Sequence, residues 1–191
     1  MTALPPLALG WRTTLPPSLP PDHKHWLLRP GALTAGLRQL GTVTLRVLDE
    51  YPQGIPLDEA RAMALTPSSP VWVREILMSV DGIDSVTARS LTPLNASHGV
   101  WQGIRRLRTR PLADMLYHDR TIQRSVFACR KLASPVPFHR SALAIQSPND
   151  PGPLWARRSV FWRYRQPLLV AECFLPAFWK IVEQHRQSST R

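Results

Sequence analysis

The middle of the chain contains two consecutive stretches with the apolar, β-branched composition of paired strands. Residues 71–80 form the first stretch, residues 83–91 form the second, and Asp81-Gly82 lies between them. Asp-Gly between two such stretches favours a two-residue type I′ turn, because glycine tolerates the positive φ that this turn requires. The pattern therefore predicts a β-hairpin.

Further strands and several short helices are predicted around this hairpin. Residues 42–48 alternate apolar and polar side chains at period two, as a half-buried strand does. Residues 121–132 form another candidate strand, and a second hairpin pairs 157–164 with 168–175 around Arg165-Gln166-Pro167. Short helices are predicted at 23–29, 31–40, 57–64, 97–108, 111–118, 138–145 and 177–191. This order of elements predicts the α+β class, with an antiparallel β-sheet of about five or six strands and short helices packed on it.

The two ends of the chain differ in composition from the rest. Residues 1–22 hold six of the 20 prolines and no periodic apolar pattern, so we interpret them as an extended N-terminal arm on the surface. Residues 181–191 are mostly polar and form a C-terminal tail. A length of 191 residues is typical of one domain, which we assign to residues 23–180.

The chain is strongly basic, with a formal net charge of +11 from 24 Lys and Arg against 13 Asp and Glu. Of the 24 cations, 21 are arginines spread along the chain, with one dense run at residues 105–110. A nucleic-acid binder usually collects its cations on one face and interleaves aromatic side chains. We therefore interpret the run as the solvated end of a helix. Nucleic-acid binding and the electrostatic steering of an acidic partner or anionic substrate are the alternatives.

Several other function classes lack their sequence signals. Two cysteines cannot build a disulfide framework, and neither they nor the six scattered histidines have metal-ligand spacing. The chain has no glycine-rich phosphate loop and no G-x-S-x-G nucleophile motif. No apolar stretch reaches the ~18 residues of a membrane span, and no basic region of a signal peptide precedes the proline-interrupted start. We expect a soluble cytoplasmic protein without a metal or stable membrane insertion.

Two arginines occupy positions in the first hairpin where apolar side chains are expected. With a two-residue turn at Asp81-Gly82, Arg74 lies opposite Arg89, on a face that also carries apolar side chains such as Ile76. Two guanidinium groups on an apolar face are costly unless an anion lies between them, and each has a planar fork that suits a carboxylate. The sequence thus predicts an anion site. In the two alternatives, the face is exposed to water, or an acid such as Glu75 pairs with one of the arginines.

Glu172 is the second charge in an unexpected position. It lies within residues 168–175, the most apolar stretch of the chain. A carboxyl group there is desolvated, which favours its neutral form unless a cation compensates. Such a group is a candidate proton donor or hydrogen-bond partner for a hydroxyl. The alternative is a structural ion pair with Arg157, Arg158 or Arg163 on the partner strand.

A series of segments along the chain matches the pattern of one known family. The segments are Val71-Trp72-Val73-Arg74-Glu75-Ile76-Leu77 with Asp81-Gly82, Ala88-Arg89-Ser90 and Pro93; Arg110-Pro111-Leu112-Ala113 with Leu116; Leu154-Trp155-Ala156-Arg157-Arg158-Ser159; and Pro167-Leu168-Leu169-Val170-Ala171-Glu172-Cys173-Phe174-Leu175-Pro176. Trp26-Leu27-Leu28 and Ala32-Leu33-Thr34 extend the match, which covers residues 23–176. On these segments the chain resembles the chorismate pyruvate-lyase family.

The resemblance implies a reaction and a set of site residues. Members of this family split chorismate into 4-hydroxybenzoate and pyruvate, the first committed step toward ubiquinone, with no cofactor or metal. By position, Arg74 would hold the ring carboxylate together with the backbone amides of Leu33 and Leu112. Glu172 would meet the ring hydroxyl, so that Glu172 and Arg74 are the catalytic residues of an enclosed ligand cavity. As a separate hypothesis, Arg89 is a secondary substrate-binding residue that balances the enolpyruvyl carboxylate or lines its exit route.

The chain departs from the family pattern at a few places. Members often have glycine where Ala113 and Ala156 stand, and residues 133–153 form a longer segment than in the shortest members. Neither departure replaces an expected ligand, although Ala113 directly follows Leu112.

The chemistry of the family agrees with the charges noted above. Chorismate carries two carboxylates, and aromatisation of its ring drives the reaction, so that positioning and charge placement matter more than a strong base. We expect a monomer whose partner is chorismate and not nucleic acid. The alternative is a non-catalytic domain that binds a small aromatic acid, similar to the effector-binding domains of bacterial transcription regulators, which resemble this family in fold. Those regulators carry an N-terminal helix-turn-helix, which the proline-rich residues 1–22 cannot form.

Overall fold

An antiparallel sheet of seven strands forms the centre of the part of the chain that the computed structural model describes, residues 10–117 and 119–189. The strands are β1 Val43–Gly54, β2 Pro70–Val80, β3 Ile83–Pro93, β4 Gln123–Arg124, β5 Ala128–Lys131, β6 Trp155–Arg163 and β7 Gln166–Phe174. They lie in the order β1-β2-β3-β7-β6-β4, and β5 also pairs with β6. The predicted α+β class and antiparallel sheet are confirmed. The sheet has seven strands where five or six were expected, because residues 121–132 form two short strands, β4 and β5, that both pair with β6.

Two tight turns connect the strands of the two hairpins. Asp81 and Gly82 have φ values of 48° and 81°, as the predicted type I′ turn requires. In the second hairpin, Tyr164-Arg165 makes the turn with φ values of 47° and 62°. Pro167, which the sequence assigned to this turn, instead lies in β7 opposite Trp162.

A β-bulge changes the register of the first hairpin. Ser79 pairs with Asp84, but Met78 pairs with Val86, so that β3 holds one extra residue at this point. Beyond the bulge Arg74 lies opposite Ser90, and Arg89 lies opposite Glu75. The predicted pairing of Arg74 with Arg89 is therefore wrong. Because neighbouring residues in a strand point to opposite faces, the two arginines lie on opposite faces of the sheet.

Short helices cover both faces of the sheet. They are α1 Pro21–Leu28, α2 Leu33–Leu37, α3 Leu57–Ala62, α4 Ala113–Leu116, α5 Pro137–Ile145 and α6 Pro176–Ser189, with 3₁₀ turns at Ala96–His98 and Gln102–Arg106. Helices α1, α2 and α6 pack on the face that carries Ile76, Met78 and Ala88. Helices α3 and α5 pack on the other face, against Val73 and Leu77 respectively. Among the helices of the described ranges, none has the length and apolar character needed to cross a membrane.

The described part of the predicted arm contributes to the core. Trp11 is 2% exposed, and its indole Nε1 donates a hydrogen bond to Asp58 Oδ2 at 3.1 Å. The backbone of Arg12 pairs with that of Cys129, and Leu19 is buried beside α1. The first nine residues of the arm and His118 lie outside the described residues. At the other end α6 continues to Ser189, so that most of the predicted tail at 181–191 is helical.

We expect the contact between α1 and α6 to depend on pH through His23. Its ring stacks on Trp179 with the centroids 3.7 Å apart, and burial lowers the pKa of His23 from 6.5, against the attraction of Asp22. A histidine whose pKa is lower in the folded state than in the unfolded state binds its proton more readily when the chain unfolds. We therefore expect the free energy of unfolding to decrease as the pH falls from about 7 through the unfolded pKa of about 6.5.

Urea unfolding at a series of pH values tests this expectation. His23→Phe keeps a ring on Trp179 but cannot titrate, so this variant should have a flatter profile between about pH 5 and 7. Identical slopes for the variant and the wild-type chain would contradict the prediction.

Candidate active site

A cavity lies between one face of the sheet and the segments around α2 and α4. Strand residues Ile76, Ala88, Ser90, Val170 and Glu172 form its floor. The rest of the lining includes Ala32, Leu33, Leu112, Leu116, Tyr117, Arg124, Phe127, Arg157 and Phe161. The centres of water molecules can occupy about 50 Å³ of this cavity, several times the volume that one ordered water requires. A mostly apolar lining with a few polar groups is typical of a small-ligand site.

Three of the predicted site residues line this cavity: Leu33, Leu112 and Glu172. Leu33 is the first residue of α2, and Leu112 is the N-cap residue of α4. The N–H groups at the start of a helix have no acceptor within that helix, so both backbone amides are free of intrahelical hydrogen bonds. Both residues line the cavity, and a pattern of side chains does not reveal free backbone amides.

Arg74 lies beside the cavity on the same face of the sheet. It pairs with the lining residue Ser90, and it is two residues from the lining residue Ile76, so it points to the same side. Its side chain is 1% exposed, and Nη2 donates a hydrogen bond to Arg108 O at 2.6 Å. Nε lies 3.1 Å from Glu50 Oε1, but the two atoms make no hydrogen bond. Burial lowers the pKa of Arg74, and the Glu50 carboxylate opposes this effect.

Glu172 forms an ion pair on the cavity floor. Arg157 lies opposite it on β6, and Arg157 Nε is 2.6 Å from Glu172 Oε2. Nη1 of the same arginine donates to the carbonyl oxygens of Trp26 and Arg29, at 3.0 and 2.9 Å. The ion pair that the sequence offered as an alternative is therefore present, but Glu172 also lines the cavity. Arg157 connects this carboxylate to the segment that leads into α2.

Arg89 lies on the other face of the sheet, among acidic side chains. Its Nε is 2.8 Å from Glu59 Oε1, and its Nη1 is 2.6 Å from Glu75 Oε1 and 3.0 Å from the Tyr51 hydroxyl. Burial alone would lower the pKa of Arg89, but the Glu59 carboxylate and the hydrogen bonds keep it above its usual value. Ser141 Oγ also donates to Glu75 Oε1, at 2.9 Å. Arg89 is thus enclosed by carboxylates and does not line the cavity, which corrects its predicted position beside Arg74.

The basic run at 105–110 is partly packed against the domain. Arg105 stacks on the Trp72 ring with Cζ 3.7 Å from the centroid, and its Nε donates to Ser97 Oγ at 3.0 Å. The backbone carbonyl of Arg108 is the acceptor for Arg74. In place of the predicted helix over 97–108, the chain forms 3₁₀ turns, and this irregular segment braces the Arg74 side chain.

Two further polar side chains of the lining were missed by sequence reasoning. Arg124 Nη1 donates a hydrogen bond to the Tyr117 hydroxyl at 2.8 Å, and this hydroxyl donates to Gly31 O at 2.8 Å. Arg124 lies in β4, a strand of only two residues that pairs with β6. The only available signal was a cation close to an aromatic residue, Phe127, within the predicted strand.

The two cysteines are buried thiols. Burial raises the pKa of Cys129 to about 12 and raises that of Cys173 further. A thiol of this kind is not a nucleophile near neutral pH. In the described part of the chain, no three His, Cys, Asp or Glu side chains are grouped in a way that could hold a metal ion.

The comparisons with known proteins identify the family. A family model described as chorismate lyase matches residues 8–184. A probable chorismate pyruvate-lyase of Bordetella pertussis is 68% identical over 182 residues, which is 95% of this chain and 96% of the relative. The probable chorismate pyruvate-lyase 1 of Pseudomonas entomophila is 39% identical, over 90% of this chain and 92% of the relative.

Solved structures with the same fold include domains of transcription regulators. The ligand-binding domain of a GntR-family regulator from Bordetella bronchiseptica has a TM-score of 0.50 and 17% identity, over 70% of this chain and 85% of that domain. PhnF from Mycobacterium smegmatis has a TM-score of 0.55 and 13% identity, over 78% of this chain and 65% of that protein. At these identities the likeness concerns the fold alone, whereas the family model and the sequence relatives cover nearly the whole chain. The chain therefore belongs to the chorismate lyase family.

Proposed function

We propose that this protein is a lyase that eliminates pyruvate from chorismate and leaves 4-hydroxybenzoate, as the first committed step toward ubiquinone. The observation that carries the proposal is one cavity lined by Glu172, Leu33 and Leu112, with Arg74 beside it on the same face of the sheet. These are the residues that match the family's site by position. In this proposal Arg74 and the two amides bind the ring carboxylate, and Glu172 meets the ring hydroxyl.

The spacing of the two charged residues supports this assignment. Arg74 on β2 and Glu172 on β7 are separated by one strand, β3. On β3, Ala88 lies opposite Glu172 and Ser90 lies opposite Arg74. The two positions are therefore separated by two strand spacings, about 10 Å across the sheet, and by two residues, about 7 Å along it. The two side chains can therefore approach a single ring from opposite ends.

In this reaction the site residues bind and orient the substrate. The bond between a ring carbon and the ether oxygen of the enolpyruvyl group breaks, and the ring loses a proton and becomes aromatic. The released enolpyruvate gains a proton on its methylene carbon and becomes pyruvate. Fixed charges in a desolvated site stabilise such a redistribution of electrons more strongly than water does. Glu172, itself oriented by Arg157, accepts a hydrogen bond from the ring hydroxyl and is suited to stabilise the ring as it becomes aromatic.

Substitutions of Glu172 test its part in the reaction. Glu172→Gln keeps the size and the hydrogen-bonding capacity, so we expect it to retain measurable lyase activity, reduced by about 10- to 100-fold. Glu172→Ala should lose most of the activity. Both variants leave Arg157 without its carboxylate, so both should melt at a lower temperature than the wild-type chain. The kcat of the folded fraction decides the question, and a wild-type kcat in both variants would remove Glu172 from the site.

The proposed reaction itself is tested with the purified chain and chorismate. The ultraviolet absorbance of 4-hydroxybenzoate and an enzyme-coupled assay for pyruvate should both increase, in equal molar amounts. The likeness in fold to ligand-binding domains of regulators suggests the second candidate, a domain that binds a small aromatic acid without catalysis. Binding of 4-hydroxybenzoate by calorimetry without any turnover of chorismate would favour that candidate.

The proposal includes a monomer in the cytoplasm that binds chorismate and no nucleic acid. The stacking of Arg105 on Trp72 supports the last point, because it engages part of the densest basic run in the domain. Size-exclusion chromatography and a salt-dependent gel shift with DNA and RNA test the oligomeric state and the nucleic-acid alternative.

A further inference from the structure

The cations around the cavity differ in how far they are already neutralised. Arg157 is paired with Glu172, and its Nη1 is used by two carbonyl oxygens. Arg74 lies near Glu50 and is the residue assigned to the ring carboxylate. Chorismate has a second carboxylate on its enolpyruvyl group, and a dianion that enters a desolvated cavity needs a second cation.

Arg124 also lines the cavity, and the contacts described for its guanidinium group are with uncharged side chains. In the structure as described, its hydrogen-bond partner is the Tyr117 hydroxyl, 2.8 Å away. Its Cζ lies 4.1 Å from the centroid of Phe127 and 5.9 Å from that of Phe161. Aromatic rings hold the plane of a guanidinium group but leave its edge free to donate two parallel hydrogen bonds to a carboxylate.

We propose that Arg124 binds the enolpyruvyl carboxylate of chorismate. This inference rests on the proposed function, because it names the second anchor of that substrate in the same cavity. Arg74 is on β2 and Arg124 is on β4, with β3, β7 and β6 between them, so the two arginines approach the cavity from opposite sides. In this proposal Arg124 takes the role that we predicted for Arg89.

The assignment makes Arg124 a residue that distinguishes substrate from product. 4-Hydroxybenzoate keeps the ring carboxylate and the hydroxyl but lacks the enolpyruvyl carboxylate. Arg124 therefore contributes to the binding of chorismate and not to that of the aromatic product. After the elimination its carboxylate partner leaves with pyruvate.

The experiment compares the two ligands in Arg124 variants. Arg124→Ala should raise the KM for chorismate by about 10- to 100-fold, as expected for the loss of a charge-assisted contact. The dissociation constant of 4-hydroxybenzoate, measured by calorimetry, should change by less than about threefold. Arg124→Lys, which keeps the charge but not the fork, should recover part of the lost affinity.

Two control variants separate this role from indirect effects. Tyr117→Phe removes the hydrogen-bond partner of Arg124 and keeps its charge, so it should affect chorismate much less than Arg124→Ala does. Arg61→Ala removes an exposed cation of α3, on the other face of the sheet, and should leave the KM unchanged. An equal loss of affinity for both ligands in Arg124→Ala would overturn the proposal, since Arg124 would then only support the cavity wall. An unchanged KM would overturn it as well.

The test stays informative if the proposed reaction fails. Should the wild-type chain make no 4-hydroxybenzoate, the binding of intact chorismate is measured directly by calorimetry in the same variants. A selective loss of chorismate affinity in Arg124→Ala would still support the subsite, and equal affinities for chorismate in wild type and variant would reject it.

Discussion

Arg74→Ala is expected to abolish turnover of chorismate and to weaken the binding of 4-hydroxybenzoate strongly while the chain stays folded. The guanidinium is buried beside the cavity, where a charge-assisted contact to a carboxylate contributes about 2–5 kcal/mol of binding. Its loss should weaken the affinity for 4-hydroxybenzoate roughly 30-fold to several thousand-fold. The fold should tolerate the change, because the Glu50 side chain is 29% exposed and can be hydrated when its partner is removed.

Calorimetry with 4-hydroxybenzoate, steady-state kinetics with chorismate and circular dichroism check this expectation together. Arg74→Lys is the matched control, since it keeps the charge but loses the planar fork, and it should have intermediate affinity. Near-normal activity in the folded Arg74→Ala variant would remove Arg74 from the site.

Arg89→Met should destabilise the fold strongly. The side chains of Glu59 and Glu75, 4% and 12% exposed, would lose the cation that compensates their burial. Removing one partner from a buried ion pair costs about 3–5 kcal/mol. For a chain of this size that corresponds to a fall in Tm of about 6–20 °C. Thermal and urea unfolding measure the loss.

A combined variant provides the control for Arg89. If Glu59→Gln and Glu75→Gln are added to Arg89→Met, no uncompensated charge remains, and much of the lost stability should return. The opposite result would be Arg89→Met with wild-type stability and selectively weakened chorismate binding. That result would restore the substrate contact that the sequence alone suggested for Arg89.

The two hairpins could be predicted from the sequence, but the register of their strands could not. Asp81-Gly82 is a specific turn signal, and the turn formed there. The bulge that follows has no comparable signal in the residue pattern, and it lies where β3, already paired with β2, begins to pair with β7. One extra residue was enough to separate Arg74 from Arg89. The sequence therefore identified both arginines as charges in unexpected positions, but it placed Arg89 on the wrong face of the sheet.

Site residues could be predicted where the type of side chain is unusual for its position in the sequence. Glu172 stands out because a charge in an apolar strand is costly, and the structure brings it to the cavity. Leu33 and Leu112 came only from the resemblance, since their backbone amides leave no trace in a side-chain pattern. Arg124 was missed because its strand is two residues long and gains its position from a long-range pairing with Phe161.

The prolines near the start of the chain reduce the conformational entropy that this segment loses on folding. From residue 10 onward it reaches α1 with little regular structure, yet it holds Trp11 and Leu19 in buried positions. An irregular segment usually loses much conformational entropy when it docks. Pro16 and Pro17 restrict the unfolded chain in advance, so less entropy is lost when this segment folds onto the sheet. The composition that predicted an extended arm on the surface here lowers the entropy cost of adding a segment to the core.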